Sequence, residues 1–589
     1  MSPKKFLLRS GLAGALLAAS LTVGISSAAA KSGQPLVSVF PIPGDRVATP
    51  QTQIVFRGIP ASQLGTIQVT GSRSGSHTGA IQPDSDGNGG SFVPSAPFTP
   101  GESVTVQTSL NIRKAARPGT FHFTVATPSG SYPQGCTIQA PRVSGDVWSF
   151  RSRPDLTPAA VKILHRYGSG GGSGDIFLTP QYGPVQNGPE IVDPNGQLVW
   201  FDPLPHCDMA SEFQVQRYRG QPVLTWWQGY SSSGMGFGQD MIYSTSYQPV
   251  ATVKAGNGLQ ADLHEFQLTP QGTALITAFY PVYWRYCNCT VFDGVVQEID
   301  IPTGLVLFQW DSLDHVPTSG SRVPKPGSRG NWDYFHINSI QLDSDGNLLI
   351  SARNTWAAYK VDHQTGAVDW SLGGKWSNFR MESGTTFAFQ HDVRAQSSHD
   401  NWITVFDDGG GRPNVHSQSR AIELYLSFKN HTAWLAGQWF HSPPLMADFE
   451  GNVQALSKGW KFVGWGEQPY FTEYGRRGMV LLDGRFISQT ASYRAYRFNW
   501  SATPTAPPDL VGSAGGGQMA LYMSWNGATN VASWRVLGGS STSTMQTLTT
   551  VPKKSFETSA TVPQQPYAQV QALDLSGRVL GTSAAVKIG

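Results

Sequence analysis

Three histidines recur in related copies of one short strand pattern. The copies are His264-Glu-Phe-Gln-Leu268, His336-Ile-Asn338-Ser-Ile-Gln-Leu342 and His391-Asp-Val-Arg394. When the copies are aligned on the turn that follows each strand, His391 falls on His336. His264 falls on Asn338, two residues further along, and therefore on the same face of a strand. Because structural repeats bring matching positions together in space, the pattern predicts one shared site.

Two more polar residues are expected at this site. Asn338 shares a strand face with His336, and Arg353 follows the turn at Gly346, so the returning strand brings it near the level of Asn338. A weaker fourth copy, Gly451-Asn452-Val-Gln454, would place Asn452 at the position of Asn338. Asn452 is therefore predicted to be a further substrate-binding residue.

The predicted group is rich in hydrogen-bond donors and poor in acids. Imidazoles, an amide and a guanidinium suit an anion with several oxygens, such as a sulfuryl or phosphoryl group. Imidazole is also a nucleophile and an acid or base near neutral pH. Two alternatives remain open: three histidines could hold zinc or iron in a metal-dependent hydrolase, although Arg353 would be unfavourable beside the metal. The histidines could also only bond to backbone groups, in a non-catalytic protein that binds a glycan or another protein.

The composition indicates several domains made of short strands. The chain has 589 residues, with 65 glycines, 40 prolines, 11% aromatic and only 14% charged residues. Such a chain is too long for one domain, and this mixture favours strands joined by tight turns. The net charge of +3 with no basic block argues against a nucleic-acid partner.

The first 30 residues have the pattern of a secretory signal peptide. Lys4 and Lys5 precede an apolar stretch from Gly11 to Ile25, and Ala28-Ala29-Ala30 offers a cleavage site. No other long apolar run follows, so the mature chain is expected to be exported, to a secreted or extracytoplasmic location, and to have no membrane span.

The four cysteines are Cys136, Cys207, Cys287 and Cys289. An oxidising compartment permits disulfides between them. Cys287 and Cys289 are so close in sequence that a bridge between them is not expected. We expect one structural bridge and free thiols rather than a metal site.

Repeated hairpins divide the chain into a central unit and two flanking ones. Glu298–Trp310 matches Lys360–Trp370, and Val192–Trp200 is a weaker copy; each is a strand, a glycine turn and a strand ending in Trp. Units of this kind predict a β-propeller over residues 144–502. Five tryptophans in or near these strands are expected to pack between blades or to stack on a phenolic ring: Trp226, Trp227, Trp284, Trp356 and Trp465.

The flanking segments alternate short β-rich runs with turns. Residues 31–143 predict an Ig-like β-sandwich, and residues 509–589 predict a fibronectin III-like one, after a stiff linker at Thr503–Pro508. The glycine-rich segment Gly168–Gly174 lacks the Lys-Ser/Thr ending of a phosphate loop and precedes a predicted strand, so it is expected to be a flexible lead-in.

The strongest motifs resemble the arylsulfate sulfotransferase family. They are Ala261-Asp-Leu-His264-Glu-Phe, Phe335-His336-Ile-Asn338-Ser-Ile, Ser351-Ala-Arg353-Asn-Thr, Trp370-Ser-Leu-Gly-Gly374-Lys and Phe389-Gln-His391-Asp-Val-Arg394, and the resemblance spans about residues 175–480. It implies an all-β chain with a six-bladed propeller and an attached sandwich. It also implies sulfuryl transfer from a phenolic sulfate donor to a phenol acceptor, with no nucleotide sulfate donor, cofactor or metal. By this resemblance His391 would be the nucleophile, His336, Asn338 and Arg353 would hold the sulfuryl oxygens, and His264 would assist as acid or base.

Overall fold

The computed structural model describes residues 35–130, 144–167, 174–205, 207–396, 399–411 and 413–588, without the side chains of residues 399 and 400. The predicted signal peptide, Cys136 and residues 168–173 of the glycine-rich segment lie outside this range. The fold is all-β, with 49% strand and 4% helix. The helical elements are α1 (Ser312–His315) and the 3₁₀ turns Ala61–Gln63, Thr318–Gly320, Arg353–Thr355, Ser457–Gly459 and Arg476–Gly478.

The N-terminal segment forms two sheets around one core. Its strands are β1 (Leu36–Phe40), β2 (Ile54–Arg57), β3 (Gln68–Gly71), β4 (Gly75–His77), β5 (Gly79–Pro83), β6 (Gly89–Pro94), β7 (Ser103–Gln107), β8 (Asn111–Ile112) and β9 (Thr120–Thr124). The sheet orders are β5-β6-β2-β1-β8 and β4-β3-β7-β9. Alternating apolar residues of both sheets, such as Phe56 and Phe121, share the buried core, so the predicted strands are confirmed.

In the described residues, the central segment contains six sheets of four or more strands and one two-stranded sheet. Its strands are β10 (Val161–Arg166), β11 (Asp175–Leu178), β12 (Pro180–Gln181), β13 (Glu190–Val192), β14 (Leu198–Phe201), β15 (Met209–Tyr218), β16 (Gln221–Ser232), β17 (Met235–Tyr243), β18 (Pro249–Val253), β19 (Phe266–Leu268), β20 (Ala274–Trp284), β21 (Cys289–Ile299), β22 (Val306–Asp311), β23 (Asn331–Trp332), β24 (Ile337–Leu342), β25 (Leu348–Ala352), β26 (Ala357–Val361), β27 (Val368–Gly373), β28 (Arg380–Met381), β29 (His391–Gln396), β30 (His399–Asp407), β31 (Arg420–Ser427), β32 (Thr432–Trp439), β33 (Asn452–Ala455), β34 (Lys461–Gly464), β35 (Tyr470–Tyr474), β36 (Val480–Phe486), β37 (Ala491–Ser492) and β38 (Tyr496–Phe498).

Five of the six sheets are built mainly of consecutive strands. The six orders are β15-β16-β17-β18, β19-β20-β21-β22, β24-β25-β26-β27, β29-β30-β31-β32-β28, β33-β34-β35-β36-β10 and β38-β11-β13-β14, and β12 and β37 form a separate pair. The last two sheets join strands from the two ends of the central segment. The predicted hairpins are confirmed: Gly196, Gly304 and Gly366 occupy their turns with positive φ, a conformation that favours glycine.

Side chains link one edge strand of each sheet to the edge strand of the next sheet. We call β15, β19, β24, β29, β33 and β38 the linked strands. Four side chains accept a hydrogen bond from a backbone N–H in the next linked strand or directly before it. The pairs of acceptor and donor are Glu265 with Ile340, Ser339 with Val393, Asp392 with Val453, and Asn452 with Ala495. The same contact recurs two residues further along, where the side chains of Gln267, Gln341 and Gln454 accept from the backbone N–H groups of Leu342, Ala395 and Arg497, respectively.

The linked strands close into a ring. Gln216 of β15 accepts from the N–H of Leu268 in β19, and Tyr496 of β38 donates back to Glu212 of β15 at 2.7 Å. Each of these six sheets is therefore held to two others.

The C-terminal segment again forms two sheets around one core. Its strands are β39 (Asp509–Gly515), β40 (Gln518–Ser524), β41 (Ser533–Gly539), β42 (Gln546–Pro552), β43 (Glu557–Pro563), β44 (Tyr567–Leu573), β45 (Val579–Thr582) and β46 (Val586–Lys587). The orders are β39-β40-β43 and β42-β41-β44-β45, with β46 also paired to β44. Met519 and Trp534 lie in the shared core, and residues 503–508 before this segment contain no helix or strand.

The cysteines differ from the sequence-based expectation. Cys287 and Cys289 form a disulfide with a Cα–Cα distance of 5.1 Å, which lies in the normal range. The chain reverses between β20 and β21 with Asn288 at positive φ, and this reversal brings the two cysteines together. Cys207 is also disulfide-bonded, and none of the cysteines in the described residues is free. The expectation of no bridge between Cys287 and Cys289, and of free thiols, was wrong.

Candidate active site

Each of the three predicted histidines is held by a carboxylate at Nδ1. The pairs are His264 with Asp262 (2.5 Å), His336 with Asp333, and His391 with Asp408 (2.9 Å). A carboxylate that accepts from Nδ1–H leaves Nε2 as the nitrogen with the free lone pair. The prediction of a site poor in acids was wrong, because these acids come from loops and from the end of β30 and not from the histidine-bearing strands.

The histidines lie close together and are largely buried. The ring centroids of His264 and His336 are 4.9 Å apart, with the rings nearly perpendicular. His264 and His391 are only 3% and 2% exposed, whereas the His336 side chain keeps 12% of its surface exposed. Solvent therefore reaches the group mainly at His336 and at the half-buried Arg353.

Burial and neighbouring positive charge lower the pKa of two of the histidines, His264 and His391. The pKa of His391 lies well below its usual value because of burial first, and then because of the charge of Arg353 and the two other histidines. Burial also lowers the pKa of His264, although Asp262 acts against that shift. For Asp408, burial raises the pKa and the guanidinium of Arg353 opposes the rise. Because its Nε2 carries no proton, a neutral His391 can act as a nucleophile.

Arg353 is fixed at the site by its own contacts. It lies over the ring of Phe389, 4.8 Å from the centroid, and donates to the backbone oxygen of Asp448 at 2.8 Å. Its backbone N–H donates to the oxygen of His336 at 2.9 Å. The buried Nε has no partner among the described residues, so this guanidinium retains a donor for an anion.

Asn338 lies beside the nucleophile candidate. Its Nδ2 donates to the backbone oxygen of Gln390, next to His391, at 2.7 Å. Its buried Oδ1 is unpaired within the described residues. Because an amide nitrogen carries two hydrogens, one donor of Asn338 remains available.

The links between strands correct the sequence alignment of the histidines. They place His264, Asn338 and His391 at one matching position, directly before Glu265, Ser339 and Asp392. The alignment of His264 with Asn338 is confirmed, and that of His391 with His336 was wrong. Leu342 pairs with Leu348, but its equivalent Ala395 pairs with Ile403, so the connection after β29 is two residues longer and an alignment on the turn is displaced.

Asn452 does not match Asn338 either. It is equivalent to Ser339, one residue further along. Its Nδ2 donates to Ala495 O and its Oδ1 accepts from Ala495 N, both at 2.9 Å. Within the described residues neither of these bonds reaches the histidines, and the predicted role of Asn452 in substrate binding stays a prediction.

Glu450 is a residue at this site that the sequence did not reveal. Its backbone N–H donates to Nε2 of His391 at 3.3 Å. Its buried Oε1 accepts from Gln181 at 2.7 Å and from the Tyr182 hydroxyl at 3.4 Å. The adjacent Gly451-Asn452 signal was present in the sequence, but nothing there indicated that the backbone before it meets His391.

The tryptophans separate into two groups. Trp226, Trp227 and Trp465 are fully buried, which confirms packing for these three. Trp356 lies edge-on to Phe389, at a centroid distance of 5.1 Å, and Phe389 in turn underlies Arg353. For Trp356, stacking on a phenolic ring stays a prediction; Trp284 is partly exposed and lies under Arg46.

A buried network of charged side chains lies next to the histidines. Arg494 donates to the backbone oxygens of His264 and Asn338, and it pairs with Glu212. Beyond it, a cavity of about 300 Å³ is lined by amide side chains, including Gln267, Gln341 and Gln454. Within the described residues, no three His, Cys, Asp or Glu side chains are grouped as a metal ion would require.

The described part of the chain contains no helix with the length and apolar character needed to cross a bilayer.

The sequence from residue 214 to residue 487 matches the model of the arylsulfotransferase (ASST) family. This range includes all six predicted site residues as well as Glu450. No curated protein matches the chain.

Several solved structures show a distant likeness. A protein of unknown function from Bacteroides caccae is 12% identical, with a TM-score of 0.33, and the match covers 55% of this chain and 98% of that one. A putative 6-phosphogluconolactonase from Bacteroides fragilis is 9% identical, with a TM-score of 0.29 and coverage of 56% and 100%. Virginiamycin B lyase from Staphylococcus aureus is 9% identical, with a TM-score of 0.24 and coverage of 61% and 96%. TM-scores this low support no argument about this chain.

Proposed function

We propose that this chain transfers a sulfuryl group from a phenolic sulfate ester to a phenolic acceptor, through a sulfohistidine at His391, since residues 214–487 match the model of the arylsulfotransferase family. The observation that carries the proposal is the environment of His391. Asp408 holds its Nδ1, and its neutral Nε2 lies in a group of donors that suits a sulfuryl anion.

The first half of the reaction is a displacement at sulfur. Nε2 of His391 attacks, the bond from sulfur to the aryl oxygen breaks, and a phenol leaves. Asp408 stabilises the positive charge that develops on the imidazole, since a buried carboxylate at Nδ1 has this effect. Arg353 and the free N–H of Asn338 donate to the sulfuryl oxygens, and each such donor contributes about 2–4 kcal/mol to transition-state stabilisation. His336, whose Nδ1–H is held by Asp333, joins them as a donor only when its Nε2 also carries a proton.

The second half returns the sulfuryl group to an acceptor oxygen. A phenol attacks the sulfur of the sulfohistidine, and Nε2 of His391 leaves as a neutral imidazole. His264 lies beside His336, with ring centroids 4.9 Å apart, and by the resemblance it would assist as acid or base. Two displacements through one covalent intermediate predict ping-pong kinetics.

We further propose that the six central sheets are the blades of a six-bladed propeller over residues 144–502. The ring of linked strands supports this arrangement. The flanking two-sheet units are proposed to be an Ig-like domain over residues 31–143 and a fibronectin III-like domain over residues 509–589. Residues 1–30 are proposed to direct export and to be removed.

Turnover of 4-nitrophenyl sulfate by the mature protein tests the function. We expect release of nitrophenol that depends on added phenol, and we expect His391→Ala to lower it by about 10³-fold or more. His122→Ala, in the N-terminal unit, is the matched control and retains full activity. No turnover by folded wild-type protein with several acceptors, together with tight binding of a glycan or protein, would favour the non-catalytic alternative.

A further inference from the structure

The proposed transfer leaves one question of proton balance. A phenolate more basic than nitrophenolate needs a proton as it leaves, and the acceptor phenol must lose one. The resemblance assigns this task to His264, but burial lowers the pKa of His264 and its Nδ1 is held by Asp262. An imidazole that is neutral at pH 7 is a poor proton donor.

Glu450 is an acidic residue whose backbone contacts the nucleophilic nitrogen. Its backbone N–H donates to Nε2 of His391 at 3.3 Å. The residue has φ of +70°, a strained conformation for a side chain other than glycine, and Gly451 follows with φ of +97°. This turn is held from the other side by the bond between Arg353 and the oxygen of Asp448.

One oxygen of the Glu450 carboxyl accepts hydrogen bonds, and the other accepts none from the described residues. Gln181 and Tyr182 donate to Oε1, whereas the buried Oε2 has no partner among the described residues. Burial is the main reason that the pKa of Glu450 rises to about 8. The group is therefore protonated at neutral pH and can give up its proton to a strong base.

We propose that Glu450 is the general acid and base of the sulfuryl transfer. The inference rests on the proposed function. As Nε2 of His391 bonds to sulfur, the S–O bond to the aryl group breaks, and the aryl oxygen takes the proton from Oε2 of Glu450. In the second half, the acceptor phenol gives its proton to the Glu450 carboxylate, its oxygen bonds to sulfur, and the N–S bond breaks.

Several groups face this carboxyl and set its titration. Gln181 and Tyr182 reach it from the segment at β12, Glu467 lies near it in the connection between β34 and β35, and His391 lies at its backbone. The bonds from Gln181 and Tyr182 favour the ionised carboxylate, and the negative charge of Glu467 disfavours it.

The test compares two donors with leaving groups of different basicity. In Glu450→Gln we expect about a 10²–10³-fold lower rate with phenyl sulfate, but less than about a 5-fold change with 4-nitrophenyl sulfate, whose leaving group needs no proton. Glu423→Gln, which removes a carboxyl of β31 paired with Lys461 of β34, leaves the ratio of the two rates unchanged. An equal loss on both donors in Glu450→Gln would overturn the proposal. Absence of wild-type turnover with 4-nitrophenyl sulfate would instead overturn the proposed function itself.

The pH profile with phenyl sulfate gives a second test that leaves Glu450 in place. The wild-type kcat/KM falls above about pH 8, because the acid is then ionised. Gln181→Ala removes a bond to the carboxylate and moves this fall to higher pH, whereas Glu467→Gln removes a negative charge and moves it to lower pH. A profile whose basic side does not move in either variant would contradict the assignment.

Discussion

At the scale of single residues, the site is a set of imidazoles whose tautomer and orientation are fixed by carboxylates. Asp262, Asp333 and Asp408 each hold one Nδ1, so all three rings have a defined tautomer and orientation. The three acids have different origins: Asp262 and Asp333 lie within three residues of their histidines, while Asp408 comes from the end of the neighbouring strand β30. The orientation of His391 thus depends on the pairing of β29 with β30.

Removal of the carboxylate behind His391 should impair the chemical step. Asp408→Asn keeps the size of the side chain but favours the wrong tautomer, so we expect kcat to fall by about 10²–10⁴-fold with little change in KM. Stopped-flow release of nitrophenol from 4-nitrophenyl sulfate measures the step directly. Asp362→Asn, in the turn before Gly366, is a control with normal kcat. A normal rate of nitrophenol release in Asp408→Asn would contradict this role.

The lowered pKa of His391 predicts activity at mildly acidic pH. His391 attacks only when it is neutral, and an ordinary histidine becomes protonated below about pH 6.5. Burial and the charge of Arg353 lower this pKa, so kcat/KM with 4-nitrophenyl sulfate should remain high as the pH falls through 6.5. A decline centred at or above pH 6.5, in protein that circular dichroism shows to be folded, would contradict the prediction.

The lowered histidine pKa values preserve activity at mildly acidic pH, but they reduce the stability of the folded chain there. In the unfolded chain His264 and His391 take up protons near pH 6.5, whereas in the folded chain they do so only at lower pH. The unfolded state therefore binds more protons below pH 6.5, and these two residues lower the free energy of unfolding as the pH falls. Circular dichroism must therefore accompany the pH profile of activity, to separate loss of activity from unfolding.

At the scale of elements, the linked strands explain why polar residues recur where no chemistry is proposed. The glutamines at the linked strands bind backbone groups of the next linked strand through the amide oxygen, the amide nitrogen or both. These residues are Gln267, Gln341 and Gln454. Hydrogen bonds of this kind satisfy backbone groups at the edge of each sheet, which would otherwise be unpaired.

Asn452 is predicted to stabilise the fold rather than to bind substrate. Asn452→Ala removes two hydrogen bonds and leaves both backbone groups of Ala495 without these partners, which costs about 2–4 kcal/mol in the free energy of unfolding. We expect a lower midpoint in urea unfolding, with KM for 4-nitrophenyl sulfate changed less than twofold. Asn338→Ala is the informative comparison, because it should reduce activity as well as stability. A large rise in KM for Asn452→Ala at unchanged stability would restore the substrate-binding role.

Local patterns in the sequence predicted the hairpins, and non-local contacts limited the prediction of the site. A glycine turn followed by a strand ending in Trp identified Gly304 and Gly366 correctly, since such turns depend on neighbouring residues. Asp408 could not be assigned to His391, because their contact depends on the pairing of two strands. The connection after β29 is longer than that after β24, so alignment on the turn displaced His391 by two residues, and a shift of one residue misplaced Asn452.

At the scale of the whole molecule, Arg494 joins parts of the ring that are far apart in sequence. Its guanidinium is fully buried and contacts Glu212 of β15, the backbone oxygens of His264 and Asn338, and Glu265. Burial raises the pKa of Glu212, and the charge of Arg494 opposes the rise. Arg394 pairs with Glu265 and Asp392 in the same network, so two guanidinium groups lie among three carboxyl groups.

Loss of Arg494 should therefore weaken the ring as a whole. Arg494→Met removes one partner of a buried charge network and leaves Glu265 with only Arg394, and such a change costs about 3–5 kcal/mol in the free energy of unfolding. Urea unfolding followed by tryptophan fluorescence measures the cost, since several buried tryptophans report on the central sheets. Arg578→Met, which removes an exposed ion pair with Asp574, should cost less than about 1 kcal/mol. If the two variants were equally stable, Arg494 would contribute no more than a surface ion pair, and the closure of the ring would rest on the backbone links of the amide side chains alone.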